Sequence, residues 1–238
     1  MRAVVRAHEA SRPRSVQKSI GPSEVGTACS RRLAYRLLDV TPCNTSSDPW
    51  ASIIGTSVHA WLDTAFRLEN ERTGEERWLC DVKVELPGYM RGSVDLYDKK
   101  TGTVIDHKVL GATSLKKFRA EGPSVQYRTQ VHVYAAGLRH AGANVAHVAI
   151  AAWSRTGQLK DATYWTEPYD EGVVEGALRR LDALRTTTES LGRAALPLIP
   201  TADAYCGYCP FYLPGVTDAE DACGGHVAGA NPTQGEAA

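Results

Sequence analysis

The sequence predicts a mixed α/β domain built on a central sheet. A cysteine cluster would close it, joining the N-terminal helix to the C-terminal tail. Three observations carry this. Three short strand patterns with tight turns lie between residues 80 and 109. Helical patterns flank them on both sides. Cysteines stand at both ends of the chain, Cys29 early and Cys206, Cys209 and Cys223 late.

Residues 1–18 are polar and Arg-rich and read as a mobile basic arm. Pro22-Ser23-Glu24 marks a helix start, with Ser23 able to cap and Glu24 suited to the positive end of the helix dipole. One helix is expected from there through Val25, Cys29, Leu33 and Leu37, with Arg31, Arg32 and Arg36 on its other side. Thr41–Pro49 is a loop. A second helix is expected over Ile53–Asn70, burying Ile54, Val58, Trp61, Leu62 and Ala65.

The strands follow at 80–86, 92–97 and 103–109, separated by Pro87-Gly88 and by the Asp98–Gly102 turn. Such short turns make an antiparallel meander. Ser124–Ala141 reads as a helix, Val145–Trp153 as a buried strand, Lys160–Trp165 as a further strand and Tyr169–Leu191 as a long helix. Residues 19–226 are expected to form a single domain that includes the cysteine segment 205–226, and 227–238 a disordered tail.

The 238 residues carry 27 Lys plus Arg against 27 Asp plus Glu. Zero formal charge argues against a protein that coats DNA by bulk electrostatics, but permits an enzyme with one basic groove. No apolar run is long enough to span a bilayer, and the N-terminus lacks the apolar stretch of a secretory signal, so a cytoplasmic protein without a membrane partner is expected. In that compartment six cysteines are better suited to metal than to disulfides.

The chemistry concentrates on the third strand. Asp106 and Lys108 are two apart, so alternation puts both on one face with Val104, while Ile105 and His107 point away. Asp95 lies on the neighbouring strand, where pairing brings it beside Asp106. Two such carboxylates repel unless a cation separates them, and hard oxygen donors favour Mg²⁺ or Mn²⁺. Lys108 would orient or activate the attacking water. Alone, D-x-K reads equally as an exposed salt pair; the surrounding pattern gives it weight. His59 sits beside the apolar face of the second helix, where a lone histidine is more often a core residue. Gln130 and Tyr134, four apart, share a helix face and can address the same site or simply belong to an amphipathic helix, and Gln126 and Tyr127 one turn upstream compete for the assignment.

Cys206 and Cys209 form a C-x-x-C with the spacing for one metal; Cys223 and Cys29 are the candidates to complete it. His226 in place of Cys223 would favour zinc. Cys43 and Cys80 read as structural. Arg31, Arg32, Arg36, Lys116 and Lys117 can track a phosphate backbone or simply form a solvated surface. Tyr127 and Trp153 can stack on bases, although packing in the core is the plainer reading for each.

Taken in order, five features resemble the RecB-like exonucleases of the PD-(D/E)XK superfamily, in the four-cysteine iron–sulfur branch with CRISPR-associated and bacteriophage relatives. They are Ser23–Arg32 with Cys29, Gly55–His59, Gly92–Asp95, Asp106-His107-Lys108, and Gln130–Tyr134, closed by Cys206, Cys209 and Cys223. The resemblance covers roughly residues 22–226 and implies a restriction-endonuclease-like core. It implies that His59, Asp95 and Asp106, with the His107 carbonyl, bind Mg²⁺ or Mn²⁺. Lys108 would be the catalytic lysine and Gln130 and Tyr134 the Q-x-x-x-Y pair. Cys29, Cys206, Cys209 and Cys223 would hold a [4Fe–4S] cluster, with structural Zn²⁺ as the alternative. In the family the last two cysteines lie close together; here Pro210–Ala222 separates them. The implied activity is phosphodiester hydrolysis from single-stranded DNA ends in recombination, repair or CRISPR-type processing. A homo-oligomer or a recombination or CRISPR partner protein would be its company. The rival is a non-enzymatic, zinc-bound nucleic-acid-binding or scaffolding subunit, which has no need of the Asp95, Asp106, Lys108 and His59 set.

Overall fold

The computed structural model describes residues 1–11, 19–44 and 48–226. The chain gathers into two compact units, one of residues 21–26 and 49–177, the other of residues 1–20, 27–48 and 178–238. The predicted tail 227–238 and residues 12–18 of the predicted arm lie outside the described residues.

The first unit is built on a five-stranded mixed sheet in the order β1-β2-β3-β4-β5. Its strands are β1 (Trp78–Leu86), β2 (Met90–Asp98), β3 (Thr103–Leu110), β4 (His147–Ser154) and β5 (Thr163–Pro168). The first three form the expected antiparallel meander. Its second turn is fastened by Asp98, which accepts hydrogen bonds from Arg77, the Thr101 hydroxyl and the Lys100 N–H. Burial works to raise the Asp98 carboxyl's pKa, but these donors outweigh it and hold the group low. β4 runs parallel to β3, so the chain must cross over, and it does so through α5 (Ala112–Glu121) and α6 (Val125–His140).

The α6 side of the sheet is the main core, with Val94, Val104, Val131, Ala135, Val148 and Ile150 fully enclosed. On α6, Arg128 and the wholly buried His132 both meet Glu167 of β5, which fixes the helix along the sheet. α4 (Trp50–Thr73) contributes to the opposite face, where its Phe66 ring stacks at 6.1 Å on His107 of β3.

Four expectations need correction. The single N-terminal helix is two: a one-turn α2 (Pro22–Val25) and, beyond a break, α3 (Ser30–Leu37). Gly26 makes the break possible, since a Cβ there would lie 2.7 Å from Thr129 and 2.9 Å from Gln126 of α6. Gly21, not Ser23, is the N-cap of α2, with Pro22 at the first helical position. Part of the expected arm is helical, as α1 (Arg2–Ala10). Trp61 is 69 % exposed: the buried line of α4 runs through Leu62 and, at helical spacing, past His59 and Phe66, and Trp61 falls off it.

The crossover helix α5 was not anticipated, although Leu115 and Phe118 are buried one turn apart and Gly122, with φ +78°, ends it. The last strand lies later than expected, because Leu159–Asp161 forms a 3₁₀ turn.

In the second unit, the tail wraps onto α3. Tyr35 stacks on Phe211 with ring centres 4.8 Å apart, and its hydroxyl donates to the Ala219 carbonyl at 2.5 Å. The Asn44 amide donates to the carbonyls of Gly207 and Cys209. α7 (Glu171–Leu191) leads to a 3₁₀ segment, Gly192–Leu198, whose Pro197 and following Ile199 offer carbonyls to Arg31 at 3.2 and 2.8 Å.

Candidate active site

β2 and β3 pair from Asp98↔Thr103 to Leu96↔Ile105 and then part. The next positions along this register are Asp95 and Asp106. Instead of a backbone ladder, the Asp95 carboxylate receives the His107 N–H at 2.8 Å. The fork thus opens where the two carboxylates face each other.

Asp106 is buried, with 2 % exposure. Gln130 Nε2 donates to its Oδ1 at 3.1 Å, and Lys108 Nζ stands 2.7 Å from its Oδ2. That second contact is an ion pair by distance but lacks hydrogen-bond alignment, which leaves Oδ2 a buried oxygen without a hydrogen-bond donor. Burial pushes the Asp106 carboxyl up to about 6, against the pull of Lys108 and with the help of the neighbouring Asp95 charge. Asp95 is held in the opposite sense. Burial would raise its pKa, but hydrogen bonds from His59 and the His107 amide prevail and lower it. His59 Nδ1 lies 3.3 Å from Asp95 Oδ1.

Gln130 joins the site into one network. Its Oε1 accepts from Lys108 Nζ at 3.0 Å, and its Nε2 also reaches the Tyr134 hydroxyl at 3.1 Å. Lys108 Nζ lies 4.8 Å above the Tyr127 ring, a cation–π contact that sets the height of the amine over α6. Of the Gln/Tyr pairs on this helix, Gln130 and Tyr134 face the site, while Gln126 turns away to the Ser23 carbonyl. The sequence marks Tyr127 as a stacking or core residue and as part of a competing Gln/Tyr set; its cation–π role depends on Lys108 arriving from β3.

Gly92 has a positional reason. A Cβ there would lie 2.8 Å from both Pro22 Cγ and Tyr134 Cε1. Gly92→Ala is therefore expected to displace Tyr134, destabilising the unit by roughly 1–3 kcal/mol by overpacking and lowering turnover more than an exposed Gly→Ala change such as Gly176→Ala. Thermal melts of the two variants, beside cleavage rates, check this.

The residues fit a divalent cation in donor chemistry: two hard carboxylates across a strand fork, one of them fully buried, with His59 alongside. Among the described residues, however, no group of three or more His, Cys, Asp or Glu side chains converges as a ready cage. The reason is local, since His59 and Lys108 each occupy a carboxylate as internal partners.

His107 presents its side chain to the other face. Burial depresses its pKa to about 4, so its ring is neutral, and Trp153 Nε1–H points at its Nδ1 over 3.4 Å.

In the second unit the tail folds back on itself near Cys223, and among the described residues no three of its cysteines converge as a ready metal cage. Residues 210–222 form a loop that returns Cys223 beside Phe211 and Leu213 through backbone hydrogen bonds of 2.7 and 2.9 Å. The Cys209 N–H donates to the Cys206 carbonyl in a tight turn. Burial raises the Cys209 thiol, and Cys29 and Cys223 are near enough to raise it further, while Arg32 lowers it. Cys206 Sγ lies 3.7 Å from the Cβ position of Gly225. Cys43 is exposed and hydrogen-bonds the Pro210 carbonyl through its N–H, whereas Cys80 is buried in β1 with its thiol pushed up to about 11.

The basic candidates differ. Arg31 is committed to the carbonyls of Pro197 and Ile199, a structural use that competes with phosphate binding. Arg32 and Arg36 are half-buried. Lys116 and Lys117 are exposed on α5, the latter 3.7 Å from Glu121. Among the described residues no helix is long and apolar enough to cross a membrane.

The chain resembles in fold an alkaline exonuclease from Laribacter hongkongensis, with a TM-score of 0.52 at 16 % identity, over 76 % of this chain and 95 % of that one. A phage-related exonuclease from Haemophilus somnus 129PT aligns with a TM-score of 0.44 at 13 % identity, over 71 % of this chain and 80 % of that one. No curated protein matches in sequence. Residues 75–212, from β1 to the cysteine segment, match the model of the PD-(D/E)XK nuclease superfamily, and the chain belongs to that superfamily.

Proposed function

We propose that the protein is a metal-dependent DNA exonuclease that hydrolyses phosphodiester bonds from single-stranded ends. The observation that carries this is the buried Asp106, held by Lys108 and Gln130 and faced by Asp95 across an open strand fork. A binding surface gains nothing from burying a carboxylate and an amine together at such desolvation cost. Nucleases of this superfamily generally use Mg²⁺ or Mn²⁺. Here His59, Asp95, Asp106 and the His107 carbonyl would hold the ion. When bound, it would supply charge to a phosphoryl oxygen and acidity to a water.

The chain's own residues do the rest. Gln130 fixes Lys108 and Asp106 relative to each other, so the amine is aimed before substrate arrives. Lys108 orients the attacking water and offsets negative charge developing on the phosphate. Asp95, kept ionised by His59 and the His107 amide, supplies a fixed negative charge across the fork. Lys116 and Lys117 provide cations for the phosphate backbone on the helix that follows β3.

We further propose that Cys29, Cys206, Cys209 and Cys223 hold a [4Fe–4S] cluster, with Zn²⁺ as the alternative. The support is the return of Cys223 to the C-x-x-C turn and the effect of Cys29 and Cys223 on the Cys209 thiol. Recombination, repair and CRISPR-type processing are the settings that suit such an enzyme.

The test is digestion of end-labelled single-stranded DNA by anaerobically purified protein with Mg²⁺ or Mn²⁺, with EDTA, and with the Asp106→Ala variant. Metal-dependent degradation absent from the variant supports the reading. A folded wild-type protein that cuts no DNA end refutes it.

A further inference from the structure

On the sheet face opposite α6, aromatic rings form a row that leads away from the fork. His107, whose amide holds Asp95, meets the Trp153 ring edge-on at 5.8 Å. Trp153 in turn meets Tyr164 of β5 at 6.0 Å, with the two planes at 87°. The register explains the row. His107 pairs with Ala151, and Ala151 pairs with Tyr164, so all three share one face, and Trp153, two residues on, falls diagonal to Tyr164. The row begins in the interior and ends in solvent: Tyr164 is 68 % exposed.

An exposed tyrosine in perpendicular contact with a tryptophan keeps much of its ring surface open to solvent. The connection beside it is cationic. A Cβ at Gly111, the residue after β3, would lie 2.8 Å from the Arg155 guanidinium, so this cation is poised over the end of the catalytic strand. Lys160 is exposed in the turn between β4 and β5. Neither forms an ion pair among the described residues. Asp161, the one acid in that turn, is used to receive the Gln158 N–H. A flat aromatic face next to unpaired cations complements a base attached to a phosphate backbone, and an apolar peptide would leave those cations unused.

We infer that Tyr164, held by its perpendicular contact with Trp153, is a stacking platform for an unpaired base of the DNA strand. This rests on the proposed nuclease site and adds to it a reason to prefer single-stranded ends, because a base within a duplex has no free face to offer. Arg155 and Lys160 would hold the adjoining phosphates.

The test compares binding of two fluorescein-labelled oligomers by anisotropy in EDTA: oligothymidylate, and a chain of equal length made of abasic sugar phosphates. Tyr164→Ala should weaken the first by roughly tenfold or more, as loss of one base–aromatic stack does, and leave the second unchanged. Tyr164→Phe should bind both like wild type. Equal loss on both oligomers, an unchanged affinity for oligothymidylate, or a Tyr164→Phe variant as weak as Tyr164→Ala would overturn the platform. Since the measurement needs no turnover, a wild-type protein that binds through Tyr164 yet cuts nothing in Mg²⁺ would remove the nuclease reading and leave the platform standing.

Discussion

Lys108→Met is expected to lower DNA cleavage by roughly 10²- to 10⁴-fold, the range seen when a positioned proton-transfer or charge-stabilising group is removed. The size follows from how many contacts the amine makes. It sits 2.7 Å from Asp106, 3.0 Å from Gln130 and over the Tyr127 ring, with a side chain only 16 % exposed. Methionine keeps the stem and its packing while deleting the charge. A second consequence adds to the first. Lys108 pulls the Asp106 pKa down against burial, so its loss leaves Asp106 more easily protonated and a poorer ligand for a cation. The rate should therefore recover partly as pH rises, since higher pH restores the Asp106 carboxylate. Initial rates across pH 6 to 9, beside a circular-dichroism melt, measure both effects. Cleavage within about threefold of wild type would rule out the catalytic role of Lys108, because such a factor is below one kcal/mol.

Cys206→Ser is expected to lose bound metal and, with it, the order of the tail. Structural metal binding is coupled to folding, and its free energy reaches about 10 kcal/mol or more in small zinc modules. Among the described residues the tail is also held by the Tyr35–Phe211 stack, the Tyr35 hydroxyl on Ala219, the Asn44 amide, the Arg193–Asp221 ion pair and backbone hydrogen bonds, which a bound metal would reinforce. Serine keeps the size but not the soft thiolate that iron or zinc prefers. Metal content by elemental analysis should fall from about one site per chain to near zero, and limited proteolysis should begin near residues 205–223. Cys43→Ser is the control, expected to keep its metal, because Cys43 is read as structural. A Cys206→Ser protein with undiminished iron and zinc would defeat the assignment.

Much of the site was legible because its chemistry violates local rules. A strand that reads Val-Ile-Asp-His-Lys-Val puts a carboxylate and an amine where apolar residues belong, and alternation alone says they share a face. The meander was legible for a related reason: Pro87-Gly88 and Asp98–Gly102 leave too few residues for any crossover. The long helices of residues 125–140 and 171–191 declare themselves by period.

Other features could not be read because they depend on partners distant in sequence. The break after Val25 is caused by the close approach of Gln126 and Thr129 to Gly26, and nothing near Gly26 announces it. Trp61 carries the composition of a core residue, yet the sheet reaches α4 along His59, Leu62 and Phe66. Arg31 matches the pattern of a phosphate contact until Pro197 and Ile199 arrive from the far end of the chain.

By itself the sequence determined which residues share a face and which turns are tight, because those follow from the repeat of a strand or helix and from the backbone of glycine and proline. Only the tertiary structure decided where β2 and β3 part, that Gln130 rather than Gln126 joins Asp106 to Lys108, and that Trp153 carries an exposed Tyr164. These are contacts between elements, set by the packing of helices on a sheet, and no periodicity within one element encodes them.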